Sequence, residues 1–288
     1  MTEKILVTGA TGKVGSVLVG ALRAAGREVK AGTRRPERAR RMLGPDVEIV
    51  ELDFERTETY DAAVQWADRV FLAPPPFDPR ADDMLVPFLD WAVQSGSRHL
   101  VLLSAMGIEA VEHVALHRVE HRIRETGVAY TFLRPNWLMQ NFTAGLLADG
   151  ISERGTFELA AGTGRVSFVD GDDVADAAAV VLTDDAHLGH AYTLTGSQSL
   201  DFDNAAHVLS EAAGRQVRYL PVTPDAMRAK LEGAGWDQAH AGVYVELLAV
   251  IARGERARVS GDLATLLGRQ PRTLEAFAGD NRKAWIAT

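Results

Sequence analysis

The sequence predicts an α/β fold: a doubly wound parallel sheet, followed by a smaller, mixed and mostly helical C-terminal lobe. Three observations predict it. Short apolar runs alternate with helix-period segments through the first half. A Gly-rich turn joins the first apolar run to the first helical pattern. Beyond Pro135 the alternation gives way to mostly helical patterns. A chain of 288 residues suits two domains, at roughly 150 residues per domain.

The elements follow in order. Ile5-Leu6-Val7-Thr8 is a short buried-strand run, and Val14, Val17, Leu18, Ala21 and Leu22 then recur at helical spacing, with Gly26 as a stop. A strand is expected at Val29–Thr33, and an Arg-rich helix from Pro36, because proline suits the first helical position. Residues 47–53 alternate at the strand period, a helix runs to about Ala67, and a strand covers Arg69–Ala73. Pro74, Pro75 and Pro76 end that strand, since proline neither donates to a ladder nor continues a helix. Helices at Asp82–Gln94 and Val111–Thr126 alternate with strands at His99–Ser104 and Ala129–Leu133. Beyond these, helices are expected at Trp137–Leu147 and Asp172–Leu182, and strands at Tyr192–Thr195 and Val217–Val222. The first domain is placed at 1–187, with 137–165 contributing partly to the second lobe at 188–288.

Composition excludes several functions. Hydrophobic residues at 47% and charged residues at 24% exclude disorder, collagen and a simple coiled coil. With no cysteine, there are no disulfides, no thiolate catalysis and no iron–sulfur cluster. A balance of 31 basic to 39 acidic residues lacks the positive field that nucleic acid requires. No apolar run approaches the roughly 18 residues of a membrane span, and MTEKILVTGA does not read as a signal peptide, so the cytoplasm is the expected compartment.

Thr8-Gly9-Ala10-Thr11-Gly12-Lys13-Val14-Gly15 carries the strongest chemical signal. Glycine recurs at every third position, directly between strand and helix. Gly9 permits the tight turn, Gly12 lets backbone approach a pyrophosphate, and Gly15 lets helix and strand pack closely. The amides of Gly12, Lys13 and Val14 are expected to face the anion at the helix N-terminus. The competing reading is a purely structural turn. The order strand, glycines, helix favours a Rossmann-type dinucleotide site.

The second strand ends in Thr33-Arg34-Arg35, without the acid that would hold a ribose 2′-hydroxyl. A guanidinium there pairs with a 2′-phosphate, so NADPH is the expected cofactor and Arg34 the expected phosphate contact. A solvated basic helix start is the alternative. Asp53 ends the third strand, placed to touch adenine; the competing reading is a helix cap for the segment beginning near Glu55, and the two are compatible. Phe54, Ala73, Pro74, Ser104 and Pro135 join Thr11 as expected cofactor contacts, because ligands of open α/β sheets bind beyond the carboxyl ends of strands.

These segments, with Leu133-Arg134-Pro135-Asn136-Trp137 and Phe168–Ala175, resemble the NmrA-like group of atypical short-chain dehydrogenase/reductases. Within it, Leu133–Phe142 and Gly261–Phe277 are similar to the festuclavine (agroclavine) dehydrogenase type. The resemblance spans nearly the whole chain. It implies an NAD(P)H-dependent reductase of iminium ions or, as in related members, quinones. It also implies an alternative, because others of the group only sense nicotinamide cofactors without turnover.

One departure bears on mechanism. Ordinary short-chain dehydrogenases use a Tyr-x-x-x-Lys pair, and none of Tyr60, Tyr130, Tyr192, Tyr219 or Tyr244 has lysine four residues later. The corresponding segment carries His113, His117 and His121, spaced to share one helix face. Imidazole at His113 or His117 is a candidate proton donor, and a bland polar stripe is the competing reading. A metal site is not expected, since HExxH is absent and no third ligand is marked. An iminium ion already carries its charge and needs no protein acid, and a quinone can take its proton from solvent. Phe77, Met106, Trp137 and Phe142 follow strands and suit a flat, apolar substrate. The expected partner is therefore a small molecule, with no nucleic acid and no membrane. A homodimer is left open.

Overall fold

Ile5, Leu6 and Val7 lie fully buried on an inner strand of a seven-stranded sheet. The computed structural model describes residues 3–285 of the chain. Contacts divide it into two compact units, residues 1–135 with 172–193, and residues 136–171 with 194–288.

The first unit is built from β1 (Lys4–Val7), α1 (Gly15–Ala24), β2 (Glu28–Thr33), α2 (Pro36–Leu43), β3 (Glu48–Glu51) and α3 (Tyr60–Val64). It continues with β4 (Arg69–Leu72), α4 (Ala81–Gln94), β5 (His99–Leu103), α5 (Ala115–Glu125) and β6 (Ala129–Pro135). The strand order is β3-β2-β1-β4-β5-β6, and every registered pair in it is parallel. Sequence order reverses at β1, whose neighbours are β2 and β4. That reversal opens the crevice in which doubly wound sheets hold their ligands. On one face Tyr60, Leu85, Phe88, Val119 and Ile123 pack against strand residues Leu100, Leu102 and Phe132. Burying one such side chain contributes about 1.5–3 kcal/mol.

The rest of the chain supplies α6 (Leu146–Arg154), β7 (Thr156–Leu159), β8 (Arg165–Val166), α7 (Gly171–Thr183), β9 (His190–Leu194), β10 (Leu200–Asp201), α8 (Phe202–Ala213) and β11 (Arg218–Pro221). Four helices follow: α9 (Pro224–Gly233), α10 (Gln238–Ala252), α11 (Asp262–Leu267) and α12 (Leu274–Asn281). Helix α7 and residues 190–193 of β9 belong to the first unit, and β9 is the seventh strand, beside β6. The Gly189 amide donates to the Tyr130 carbonyl, and the Asn136 amide to the Leu194 carbonyl, so β9 runs parallel to β6.

The second unit has small sheets, β7 with β11 and β8 with β10, and an aromatic core. Phe142 packs on Phe157 and Phe168 at 5.6 and 5.5 Å between ring centres, and Phe168 on Phe202 at 5.5 Å. The helix expected at Trp137–Leu147 does not form. Trp137 is bound through both backbone groups, its amide to Asn136 Oδ1 and its carbonyl to the Val169 amide. A single 3₁₀ turn covers Met139–Phe142, and Gly145, at φ +79°, starts α6 afresh. Among the described residues, no helix is long and apolar enough to cross a membrane.

Candidate active site

The glycine loop sits at the switch point between β1 and α1. Gly9 adopts φ +59°, and a Cβ there would meet the Ala73 Cβ at 2.8 Å. A Cβ on Gly15 would stand 2.4 Å from the Gly9 carbonyl oxygen, so only glycine lets the helix start this close to the loop. On Gly12 the nearest atom would be the Gly9 oxygen, at 3.1 Å. The expected triad of anion-facing amides needs correction here. The Gly12 amide donates to the Gly9 carbonyl at 2.8 Å and is spent closing the turn. Lys13 and Val14 follow, directly ahead of a helix that no side chain caps. Such a helix start suits an anion, because its first amides lack intrahelical acceptors and carry the positive end of the dipole. Local desolvation lowers the amine pKa of the otherwise exposed Lys13 from its ordinary value, and an approaching phosphate would reverse that shift. Thr11 lies in the same loop, half-buried.

Around the adenosine end, Arg34 is exposed directly after β2, with no ion-pair partner among the described residues. Asp53 caps its own turn: Oδ1 accepts from the Glu55 amide at 3.1 Å, and its carbonyl accepts from the Arg56 amide. The helix cap foreseen for it does not form: the 3₁₀ turn that follows starts after Arg56 with no side-chain cap. Phe54 rests on Phe88 at 5.1 Å between ring centres.

At the end of β4, the Ala73 amide donates to Thr8 Oγ1, tying this strand end to the glycine loop. Pro74 begins the proline run, and Phe77 follows it at φ +60°. Among the described residues Phe77 is the single non-glycine residue with positive φ. A bulky side chain held there costs on the order of 1–3 kcal/mol, a strain that clusters at functional sites.

A buried charged network joins Ser104, expected from the sequence as a cofactor contact after β5, to Glu120 of α5 and Arg134 of β6, neither of which sequence reasoning assigned to the site. Ser104 Oγ donates to Glu120 Oε1 at 2.6 Å. Arg134 grips the same carboxylate with two bonds, Nε to Oε1 at 2.9 Å and Nη2 to Oε2 at 2.6 Å. Glu120 is 1% exposed, Ser104 5% and Arg134 8%. Burial opposes the Arg134 charge, but the carboxylate outweighs it and holds the guanidinium pKa above its ordinary value. The available signal was a lone arginine ending the apolar run of β6. The Met106 amide donates to the Pro135 carbonyl at 3.0 Å, which places the buried Met106 beside this network's strand ends.

The histidine face is not continuous. Helix α5 starts at Ala115, so His113 precedes it in a turn, with its carbonyl accepting from Arg118. His117 lies on α5, and its Nδ1 is 3.0 Å from the Ile108 carbonyl oxygen. A carbonyl can only accept, so Nδ1 carries the proton and neutral His117 offers a bare Nε2. His121 is exposed beside Glu125.

In the second unit Phe142 is fully buried among Phe157 and Phe168 and is a core residue, not a ligand contact. Trp137 stacks edge-on to Phe202 at 5.7 Å and near Tyr244 at 6.1 Å, while its buried indole N–H finds no acceptor among the described residues.

A switch-point glycine cradle, an uncapped helix start and a basic residue after β2 define a dinucleotide-binding protein of the doubly wound class. The comparisons agree. Residues 9–185 match the NAD(P)H-binding family, and the chain belongs to that family. It is 32% identical to NAD(P)H azoreductase of Xenophilus azovorans over 287 residues, covering 98% of this chain and 99% of that one. Agroclavine dehydrogenase of Claviceps fusiformis is 29% identical over 98% of both chains. The triphenylmethane reductase of Citrobacter sp., solved with NADP(H), superposes with a TM-score of 0.81 at 27% identity over 98% of this chain and 100% of that one. The chain is an NAD(P)H-dependent oxidoreductase of the atypical short-chain dehydrogenase/reductase type, as the resemblance implied.

Proposed function

We propose that this protein uses NADPH to reduce a flat, apolar acceptor of iminium, quinone or enone type. One observation carries the reading: the end of β5 presents no hydroxyl proton to a substrate. Tyr-x-x-x-Lys is absent, and the Ser104 proton is engaged by Glu120 at 2.6 Å. Acceptors that complete hydride addition without a protein acid fit such a site. An iminium ion becomes a neutral amine on gaining hydride, and a quinone becomes a hydroquinone anion that solvent protonates. A simple ketone would build an alkoxide with no donor beside it.

The residues divide the work. Bound NADPH supplies the hydride. Lys13, Val14 and the start of α1 hold its pyrophosphate, and Arg34 pairs with the 2′-phosphate through charge-assisted bonds. Thr11, Asp53, Phe54, Ala73, Pro74 and Pro135 line the path of the dinucleotide along the strand ends. Phe77 and Met106 give the first unit's apolar surface for the acceptor. The similarity to an NAD(P)H azoreductase and an agroclavine dehydrogenase supports an acceptor rich in conjugated carbon and nitrogen. The test is NADPH oxidation, followed at its absorbance, against matched panels. The reading expects turnover with iminium ions and quinones and little with unactivated ketones. Faster turnover of ketones would contradict it.

A further inference from the structure

We propose that Ser104 serves the bound ligands as a hydrogen-bond acceptor, and that Glu120 fixes this role. A serine hydroxyl has one proton and two acceptor sites. Glu120 takes two bonds from the Arg134 guanidinium, and Arg124 Nη2 approaches its Oε2 at 3.4 Å. A carboxyl gripped in this way is ionised and only accepts. The proton in the 2.6 Å contact therefore belongs to Ser104 and points at Glu120. Turning the hydroxyl towards a ligand would take a hydrogen bond from a carboxylate that is 1% exposed, which has little water to replace it. The Ser104 amide is also committed, to the Leu133 carbonyl at 2.7 Å. What Ser104 offers past the carboxyl end of β5 is a pair of lone pairs, and its complement is an N–H group.

Two ligands of the proposed reaction carry one. The nicotinamide carboxamide has an NH₂, and an unalkylated iminium acceptor has an N–H. The inference rests on the NADPH reading, so wild-type cofactor binding and turnover are measured alongside. Failure of that reading appears in the wild type, and failure of this inference only in the Ser104 variants.

The experiment compares Ser104→Ala and Ser104→Thr with wild type in two arms. The first titrates NADPH and reduced 3-acetylpyridine adenine dinucleotide phosphate, whose acetyl group replaces the carboxamide and has no N–H. The second measures KM for an iminium acceptor bearing N–H and for its N-methyl counterpart. If Ser104 accepts from the carboxamide, Ser104→Ala weakens NADPH by about 3–10-fold, the worth of one neutral hydrogen bond, and leaves the acetylpyridine analogue unchanged. If it accepts from the acceptor, KM rises by a similar factor for the N–H substrate alone. Ser104→Thr, which keeps the hydroxyl, restores whichever is lost. Equal losses for ligands with and without N–H, or no loss in either arm, would overturn the proposal.

Discussion

The two ends of the sheet in the first unit each carry a charged network built on a buried arginine, and the networks are finished differently. At the amino ends of β4 to β6, Arg69 holds Asp185 at 2.6 Å, also pairs with Glu3, and donates through Nη1 to His99 Nδ1 at 3.3 Å. His99 Nε2 lies 3.0 Å from Thr131 Oγ1, whose own proton goes to the His187 carbonyl at 2.7 Å. Thr131 must then accept, so His99 is the neutral Nε2–H tautomer with its Nδ1 lone pair on Arg69. These donors and acceptors interlock. At the carboxyl ends, Ser104 keeps lone pairs to offer, α1 starts without a side-chain cap, and Phe77 is strained. One end is closed as structure, and the other keeps groups open for ligands.

The glycine cradle gives the largest expected effect at the open end. Gly12→Val should weaken NADPH by 100-fold or more while the sheet stays folded, because its branched side chain fills the space of the pyrophosphate. Isothermal titration, with circular dichroism on the same sample, checks both halves. Normal NADPH affinity in the folded variant would make the loop a structural turn only.

The closed end should answer to acid. Burial first, and the Arg69 charge second, lower the His99 pKa from 6.5 to about 4. A histidine whose pKa is lower in the folded state adds stability that is complete above 6.5 and is lost as pH falls towards 4. The amount is on the order of 3 kcal/mol, at about 1.36 kcal/mol per pKa unit. Urea unfolding from pH 7 to 4 should show that loss, and His99→Gln should flatten it. An unchanged slope in the variant would assign acid sensitivity elsewhere.

Arg34→Ala should weaken NADPH by about 1.5–3 kcal/mol, the range for a hydrogen bond to a charged group, and NADH far less. Equal losses would separate Arg34 from the 2′-phosphate. Phe77→Gly should be the smallest change at this end. It should raise stability by about 1 kcal/mol by removing the positive-φ strain, and raise KM for the acceptor by removing the ring. Phe77→Ala keeps the strain and should raise KM without stabilising. If Phe77→Gly destabilises the protein, the conformation is not strained.

The same contrast explains what the sequence revealed. The alternating runs placed strands β1 to β6 within a residue or two, because the apolar period follows directly from burial on both faces. Gly9, Gly12 and Gly15 were legible as a cradle, since their lack of Cβ is itself the function. The loss of the Gly12 amide to the turn was not, because a hydrogen bond within a loop leaves no trace in residue spacing. Glu120 and Arg134 escaped notice as a pair because 14 residues and a β-strand separate them, and only the fold brings them together. Phe142 misled because an aromatic residue after a strand looks alike whether it faces a ligand or a core. The shared helix face of His113, His117 and His121 misled because spacing cannot show that α5 begins only at Ala115.

Hydride transfer without a protein acid is the central claim, and the histidines are its most direct test. The measurement is the single-turnover rate of NADPH oxidation by an iminium or quinone acceptor across pH 5–9, in wild type and in His113→Gln/His117→Gln. The account predicts nearly equal rates for the chemical step, with any change confined to acceptor binding. A fall of roughly 10²–10⁴-fold in the double variant, together with loss of a titration near 6.5, would show that imidazole donates the proton and would contradict it.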